Sequence, residues 1–168
     1  MKKVIIFLFI VTSIILFNSR EKQVVIPKDS IRFRIIANSN NIEDQTQKWN
    51  INKELIPVIT DITKTSNSIE NARIQINKNL PSIEKTVSKY SDNYLINYGQ
   101  NYFPQKEYKS VKYPEGNYES LVITLGDGIG DNWWCVLFPP LCLMEATSQD
   151  YDNITYDYYI KKIINNYF

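Results

Sequence analysis

Residues 31–63 read IRFRIIANSNNIEDQTQKWNINKELIPVITDIT, and this stretch decides the fold class. It opens by alternating apolar and basic side chains and then runs apolar, which predicts a strand over residues 31–37. The small polar residues 38–41 both end a strand and cap a helix well. Apolar residues then recur at helical spacing, so a helix is predicted from Ile42 to Thr63.

Two prolines fall within the helical region. Pro57 is expected to kink or divide the first helix, because proline lacks the amide hydrogen and its ring crowds the preceding turn. A second helix is predicted to begin near Ser68, to be interrupted at Pro81 and to continue to about Tyr90.

Beyond the helical region, the apolar pattern changes to a period of two. Strands are predicted at residues 94–102, 119–125, 133–138 and 153–160, and residues 160–167 fit a short terminal helix that replaces the last strand or follows it. The order of strand, helices and strands predicts an α+β fold. Two or three helices are expected to pack on one face of a mixed or antiparallel sheet formed mainly by the C-terminal half.

The N-terminus is typical of an export signal. Met1–Lys3 is positively charged, and residues 4–17 are apolar apart from one threonine and one serine. A spanning helix needs about 20 apolar residues, so this run fits a secretory signal better. No small-residue cleavage site follows it, and both a cleaved signal peptide and an uncleaved signal anchor fit residues 1–19. Residues 20–30 are predicted to be a linker, and residues 31–168 a single α+β signalling domain outside the membrane.

The composition excludes several classes of function. The chain has 168 residues, enough for one domain with a modest core. It has 19 basic and 18 acidic residues and no basic stripe, which argues against nucleic acid as a partner. It has no histidine, which excludes Ser-His-Asp and Cys-His sites, the two-histidine zinc motif and acid–base catalysis by histidine. Carboxylate, lysine, tyrosine or cysteine chemistry remains.

A glycine-rich segment, Gly-Asp-Gly-Ile-Gly, occupies residues 126–130 after a predicted strand. A phosphate cradle would need a helix next, whereas a strand-like run follows here. Asp127 and Asp131 would repel phosphate, and they lack the further spaced ligands of a calcium loop. The glycines therefore predict a turn that joins two strands, and no metal or cofactor is predicted.

The chain has two cysteines, Cys135 and Cys142. Without histidine they are too few for a structural zinc site. In an exported protein a disulfide around Pro139 and Pro140 is the natural interpretation. An extended path would instead carry the sulfurs apart and leave two buried free thiols, and both interpretations remain open.

Trp133 and Trp134 are adjacent on a predicted strand, so their side chains are expected to point to opposite faces. At least one of them needs cover from a helix, the C-terminal tail or a partner. Exposed aromatic residues beside prolines are typical of an interface hot spot. A core strand that is buried on both faces fits the same residues equally well.

Two stretches resemble the stage II sporulation protein R family. The first comprises residues 31–39, IRFRIIANS, and residues 43–45, EDQ. The second lies within residues 113–142 and includes YPEGNYE and GDGIGDNWWCVLFPPLC, and the FPQK element at residues 103–106 fits as well. The run NWWCVLFPPLC is highly specific, and the resemblance covers about residues 30–145.

The resemblance implies a signalling role. Members of that family are made in the forespore and exported into the space between the two sporulation membranes, where they activate a membrane-bound aspartic protease of the mother cell. That protease removes the pro-sequence of an early mother-cell sigma factor. On this basis the chain is expected to be a protein ligand and not an enzyme, with that protease as its partner and with no cofactor, small-molecule substrate or nucleic acid.

Two groups of residues are predicted to contact the partner. The first group comprises Asn132, Trp133, Trp134, Phe138 and Pro139. The second group comprises Arg32, Arg34 and Asn38. One alternative function is a secreted cell-wall hydrolase that uses carboxylates such as Asp127 and Asp131. Another is a structural envelope protein that bridges membranes.

Overall fold

The structure, a computed structural model, describes residues 24–108, 111–142 and 153–167. The predicted signal peptide or anchor, residues 1–19, lies outside the described residues. The described elements are β1 (Val24–Val25), β2 (Ile31–Ile36), α1 (Ile42–Thr65), α2 (Ile69–Val87), β3 (Tyr94–Phe103), β4 (Lys106–Tyr108), β5 (Val111–Tyr113), β6 (Gly116–Leu125), β7 (Asn132–Phe138) and α3 (Asn153–Tyr167). No helix within these ranges has the length and apolar character needed to cross a bilayer.

The strands form two sheets, and the α+β prediction is confirmed. The larger sheet has the strand order β3-β6-β2-β7 and is mixed, because β2 runs parallel to β6 while β3 and β7 run antiparallel to their neighbours. The smaller sheet has the order β1-β5-β4. Its strand β1 falls in the segment predicted to be a linker and pairs in parallel with β5.

Side-chain caps start both long helices. The Asn41 side chain accepts a hydrogen bond from the Asp44 amide at 2.7 Å, and the Ser68 hydroxyl accepts one from the Asn71 amide at 3.1 Å. Glu43 and Asp44 lie in the first turn of α1, where negative charge suits the helix dipole.

Both helices continue through their prolines. Pro57 lies inside α1 and does not divide it, and Pro81 lies inside α2, so the prediction that Pro81 interrupts its helix is wrong. Both proline side chains are exposed. On the solvent side of a helix the carbonyl that loses its amide partner can bind water, and the proline ring displaces no core side chain.

The main core lies between one face of the larger sheet and helices α1 and α2. The inward-facing residues of β2 are Ile31, Phe33 and Ile35, all fully buried. They alternate along the strand with Arg32 and Arg34, which therefore lie on the opposite face. From the helices, the same core includes Ile51, Leu55, Ile59, Ile62, Ala72, Ile76, Ile83 and Val87.

A second apolar cluster joins the smaller sheet to α3. It contains Val24 and Val111 of the smaller sheet, Val136 of β7 and Ile160 of α3. The predicted strand at residues 153–160 is wrong, because these residues belong to the helix α3. Residues 156, 159 and 160 also have helical spacing in the sequence, and this spacing continues through the apolar residues Ile163, Ile164 and Tyr167.

Candidate functional site

The glycine-rich loop crosses over the end of β2. Strand β6 is parallel to β2 and β7 is antiparallel to it, and both pair with β2, so the connection from β6 to β7 must pass over the C-terminal end of β2. The amides of Ile129 and Gly130 donate hydrogen bonds to the carbonyls of Asn38 at 3.1 Å and Ala37 at 3.0 Å. Gly126 has φ +53°, a conformation that glycine adopts without strain. The turn thus joins two strands, as predicted, but these strands are not neighbours.

Asn38, predicted to contact the partner, holds this loop in place. Its side-chain oxygen accepts a hydrogen bond from the Asp127 amide at 2.9 Å, and its side-chain nitrogen donates one to the Asp44 carboxylate at 2.9 Å. The Ser39 hydroxyl donates to the same carboxylate at 2.6 Å. The hydrogen bonds from Ser39 and Asn38 lower the pKa of Asp44 below its ordinary value.

The two carboxylates proposed for hydrolase chemistry belong to this loop. The side chains of Asp127 and Asp131 are exposed. The amide of Asp131 donates a hydrogen bond to the Asn40 side chain at 2.6 Å, and its carbonyl accepts one from the buried ammonium group of Lys48 at 2.9 Å. These contacts hold the loop backbone. Strand β7 follows at once, so the loop does not lead into a helix as a phosphate cradle requires. In the part of the chain that the structure describes, no group of His, Cys, Asp or Glu side chains could hold a metal ion.

Strand β7 is covered on both faces. Trp133 is half-buried against the main core and packs edge-to-face on Phe33, with ring centroids 5.9 Å apart. Trp134 points to the other face, where its ring lies 4.8 Å from Tyr113 and 5.9 Å from Phe103. Each of the two adjacent tryptophans is thus packed against other aromatic residues of the chain.

The remaining residues of the first predicted group divide between core and surface. Phe138 is 3% exposed and Pro139 is buried, whereas Asn132 is exposed. The structure joins Cys135 and Cys142 in a disulfide, with Cα atoms 4.9 Å apart and both residues buried. The surface that β7 offers to a partner is therefore its N-terminal end.

A small pocket lies at that end of β7, with a volume of about 130 Å³. We call it the basic–aromatic pocket, and its lining residues are Arg34, Phe103, Pro104, Gln105, Lys106, Asn132 and Trp134. It brings together members of both predicted groups, because Arg34 and Trp134 are directly paired residues of β2 and β7 and so share a face of the sheet.

Cations alternate with aromatic rings in and behind the pocket. The Arg34 guanidinium lies 4.3 Å from the centroid of the Phe103 ring, and the Lys106 ammonium lies 5.3 Å from the Trp134 ring. Behind them, the Arg32 guanidinium lies 3.4 Å from the Tyr118 ring. Arg32, a member of the second predicted group, is fully buried. It therefore packs behind the pocket and has no exposed surface that a partner could contact.

Arg34 differs from Arg32 in reaching the pocket. It is partly exposed, and desolvation by burial lowers the pKa of its guanidinium. Its Nε atom is buried and has no hydrogen-bond partner among the described residues. A buried donor of this kind favours an acceptor that enters the pocket from outside.

Sequence reasoning missed four lining residues, those at positions 103–106, and the two that form the cation–ring contacts are Phe103 and Lys106. Both lie in the FPQK element, which the sequence offered only as part of a family resemblance. Phe103 is the last residue of β3 and Lys106 the first of β4. The chain turns back between them beside β7, which a one-dimensional pattern does not reveal.

Fold and site together define a small α+β domain with a surface pocket built from cations and aromatic rings. A sequence profile described as Stage II sporulation protein R matches residues 27–148, which include the whole pocket. The chain belongs to the stage II sporulation protein R family, and its role is in sporulation.

One relative is the Stage II sporulation protein R of Bacillus subtilis (strain 168), which is 43% identical over 141 residues. The match covers 78% of this chain and 61% of the relative, so the chain spans less than two thirds of the length of that protein. No solved structure matches the chain.

Proposed function

We propose that this protein is an exported signal that acts by binding, without catalysis of its own. It leaves the forespore, reaches the space between the forespore and mother-cell membranes, and activates a membrane-embedded aspartic protease of the mother cell. The activated protease then shortens a pro-sigma factor. Family membership across residues 27–148 is the observation that carries the proposal.

The geometry of the domain supports a binding role. The basic–aromatic pocket lies at the surface, and arginine and aromatic side chains are the residue types enriched in protein interfaces. The disulfide between Cys135 and Cys142 suits an oxidising compartment outside the cytoplasm. The apolar run at residues 4–17 supplies an export signal, either cleaved or retained as a membrane anchor.

Activation by a ligand requires differential affinity. A protease with an inactive and an active state shifts toward the active one only if this protein binds the active state more tightly. Moving the population from about 1% to about 99% active needs roughly a 10⁴-fold preference. A folded binding domain suits this task, because less of its binding energy is lost in ordering than for a disordered segment.

Reconstitution in a non-sporulating bacterium tests the proposal. We would co-express the full chain with the aspartic protease and the sigma-factor precursor of the same species, and follow the shortened sigma factor by immunoblot. The matched control is a variant without residues 4–17, which is made but not exported. Processing is expected with the full chain and not with the control. An intact precursor beside folded, exported protein would refute the proposal.

A further inference from the structure

We propose that the basic–aromatic pocket binds a carboxylate of the partner protein, supplied by an aspartate or glutamate side chain on its extracytoplasmic surface. This inference rests on the proposed function and names the chemistry by which the partner is recognised. The pocket then serves as the anchor of the interface.

The charge of the pocket is unbalanced. Its lining contains the cations Arg34 and Lys106, and no carboxylate among the described residues. No ion pair of the described residues involves either cation. A planar guanidinium matches a carboxylate in shape and charge. The buried Nε donor of Arg34 has no hydrogen-bond acceptor among the described residues.

The side chains of the pocket are also held in place by packing. Arg34 and Trp134 are held by adjacent central and edge strands of the larger sheet, and Trp134 is fixed from behind by Tyr113 and Phe103. The Arg34 guanidinium rests on the Phe103 ring. Cations that are positioned before binding lose little conformational freedom when an anion arrives, so more of the interaction appears as affinity.

The volume of the pocket suits a carboxylate that is carried on a side chain. A volume of about 130 Å³ admits a carboxylate and its methylene group. Asn132 and Gln105 add side-chain amides to the lining, which suit the polar backbone of a peptide.

The small number of basic residues in the pocket argues against an anionic membrane as its ligand. Each basic residue near an anionic membrane strengthens binding by about fivefold, so two cations give only about 25-fold. Membrane-binding patches are therefore built from larger basic clusters, and this pocket has two cations set between aromatic walls. Two cations are enough to recognise a single carboxylate.

The direct test is a titration followed by NMR on the purified full chain. One probe is a short capped peptide with a single glutamate among glycine and serine residues, and the matched probe has glutamine in its place. The glutamate peptide is expected to shift the Arg34 Nε–H and Trp134 indole signals, and the glutamine peptide to leave them in place. Equal responses to both peptides, or no response to either, would overturn the inference.

Three substitutions test whether the glutamate peptide binds in the basic–aromatic pocket. Arg34→Gln is expected to weaken the glutamate response roughly 10- to 100-fold, and Lys106→Gln roughly 2- to 5-fold, because Lys106 is exposed at the rim. Lys78→Gln removes the same charge from the exposed face of α2 and is expected to change nothing. Lys106→Gln keeps the test decisive if Arg34→Gln fails to fold, since an undiminished response in that variant contradicts the inference.

Two further arms separate the inference from the proposed function. Vesicles rich in phosphatidylglycerol are expected to leave the pocket signals unchanged, and a response to vesicles instead of the peptide would assign the pocket to lipid. In the processing assay, Arg34→Gln is expected to lower processing at limiting protein while Lys78→Gln matches the unaltered chain. Full processing by a folded Arg34→Gln variant would overturn the pocket's role and leave the proposed function standing. Failure of the unaltered chain would overturn the proposed function itself.

Discussion

Gly130 is a residue at which one added methyl group should markedly lower the free energy of unfolding. The glycine-rich loop passes so closely over the end of β2 that a Cβ atom at Gly130 would overlap the carbonyl oxygen of Ser39. It would also lie 2.6 Å from the Ser39 carbonyl carbon and 2.9 Å from the Ala37 carbonyl oxygen. All three are backbone atoms, so no side chain can rotate away. Gly130→Ala therefore forces the loop off β2.

The expected cost is large for a single methyl group. Overpacking that moves backbone typically costs about 1–3 kcal/mol, and the loop would also strain the hydrogen bond from the Gly130 amide to Ala37. For a chain of this length each kcal/mol lowers the melting temperature by about 2–4 °C. We therefore expect Gly130→Ala to lower the free energy of unfolding by about 2–3 kcal/mol and the melting temperature by about 4–12 °C.

Gly99→Ala is the matched control. A Cβ atom at Gly99 in β3 would meet the Asn97 side chain at 3.7 Å, an ordinary contact. Glycine in a strand costs about 0.5–1 kcal/mol relative to alanine, so this variant should be as stable as the unaltered chain or slightly more stable. Urea unfolding monitored by tryptophan fluorescence measures the free energy of unfolding of both variants. Equal stabilities for Gly130→Ala and Gly99→Ala would refute the close crossing of the loop over β2.

Three further predictions concern other contacts of the fold. Replacing Cys135 and Cys142 together by alanine should lower the free energy of unfolding by about 2–3 kcal/mol in a urea titration, because the disulfide closes a loop with a sequence separation of 7; a double variant as stable as the oxidised chain would contradict this. Asp44 has a pKa below its ordinary value, chiefly through the hydrogen bond from Ser39, so its stabilising effect is present above that ordinary value of 3.8 and lost as the pH falls through the lowered pKa. Asp44→Asn should therefore flatten the loss of stability measured between neutral and acid pH, and an unchanged pH profile would show that the carboxylate adds nothing. Lys48→Met should cost about 1–3 kcal/mol in the same urea assay, because it removes the nearer donor of the Asp131 carbonyl and leaves only the Gln45 amide, at 3.5 Å; a neutral effect would mean that water or Gln45 replaces the ammonium group.

The long elements of this fold can be predicted from sequence alone. Strand β2, helices α1 and α2, and strands β3, β6 and β7 all have apolar periodicity over many residues. Strands β1, β4 and β5 have two or three residues each, which is too short for a period to be visible. Helix α3 was predicted only in its second half, because the spacing of its first residues fits both a strand and a helix.

The pocket was only partly predictable, because strand order is a property of three dimensions. Arg34 and Trp134 were assigned to separate groups, and they meet because β7 pairs with β2 and not with β6. Arg32 and Arg34 share a face by alternation, yet only Arg34 reaches the surface. The ring of Tyr118, from β6, lies against Arg32, and the sequence gives no sign of that contact.

Stoichiometry tests most directly the proposal that this protein activates its partner as a ligand and not as a catalyst. We would add increasing amounts of the purified full chain to membranes that contain a fixed amount of the aspartic protease and the sigma-factor precursor, and measure the rate at which the precursor is shortened. For a ligand, the rate is expected to rise with added protein and to level off once the amount matches that of the protease. A maximal rate at amounts far below the protease, or continued shortening after the protein has been removed, would contradict it.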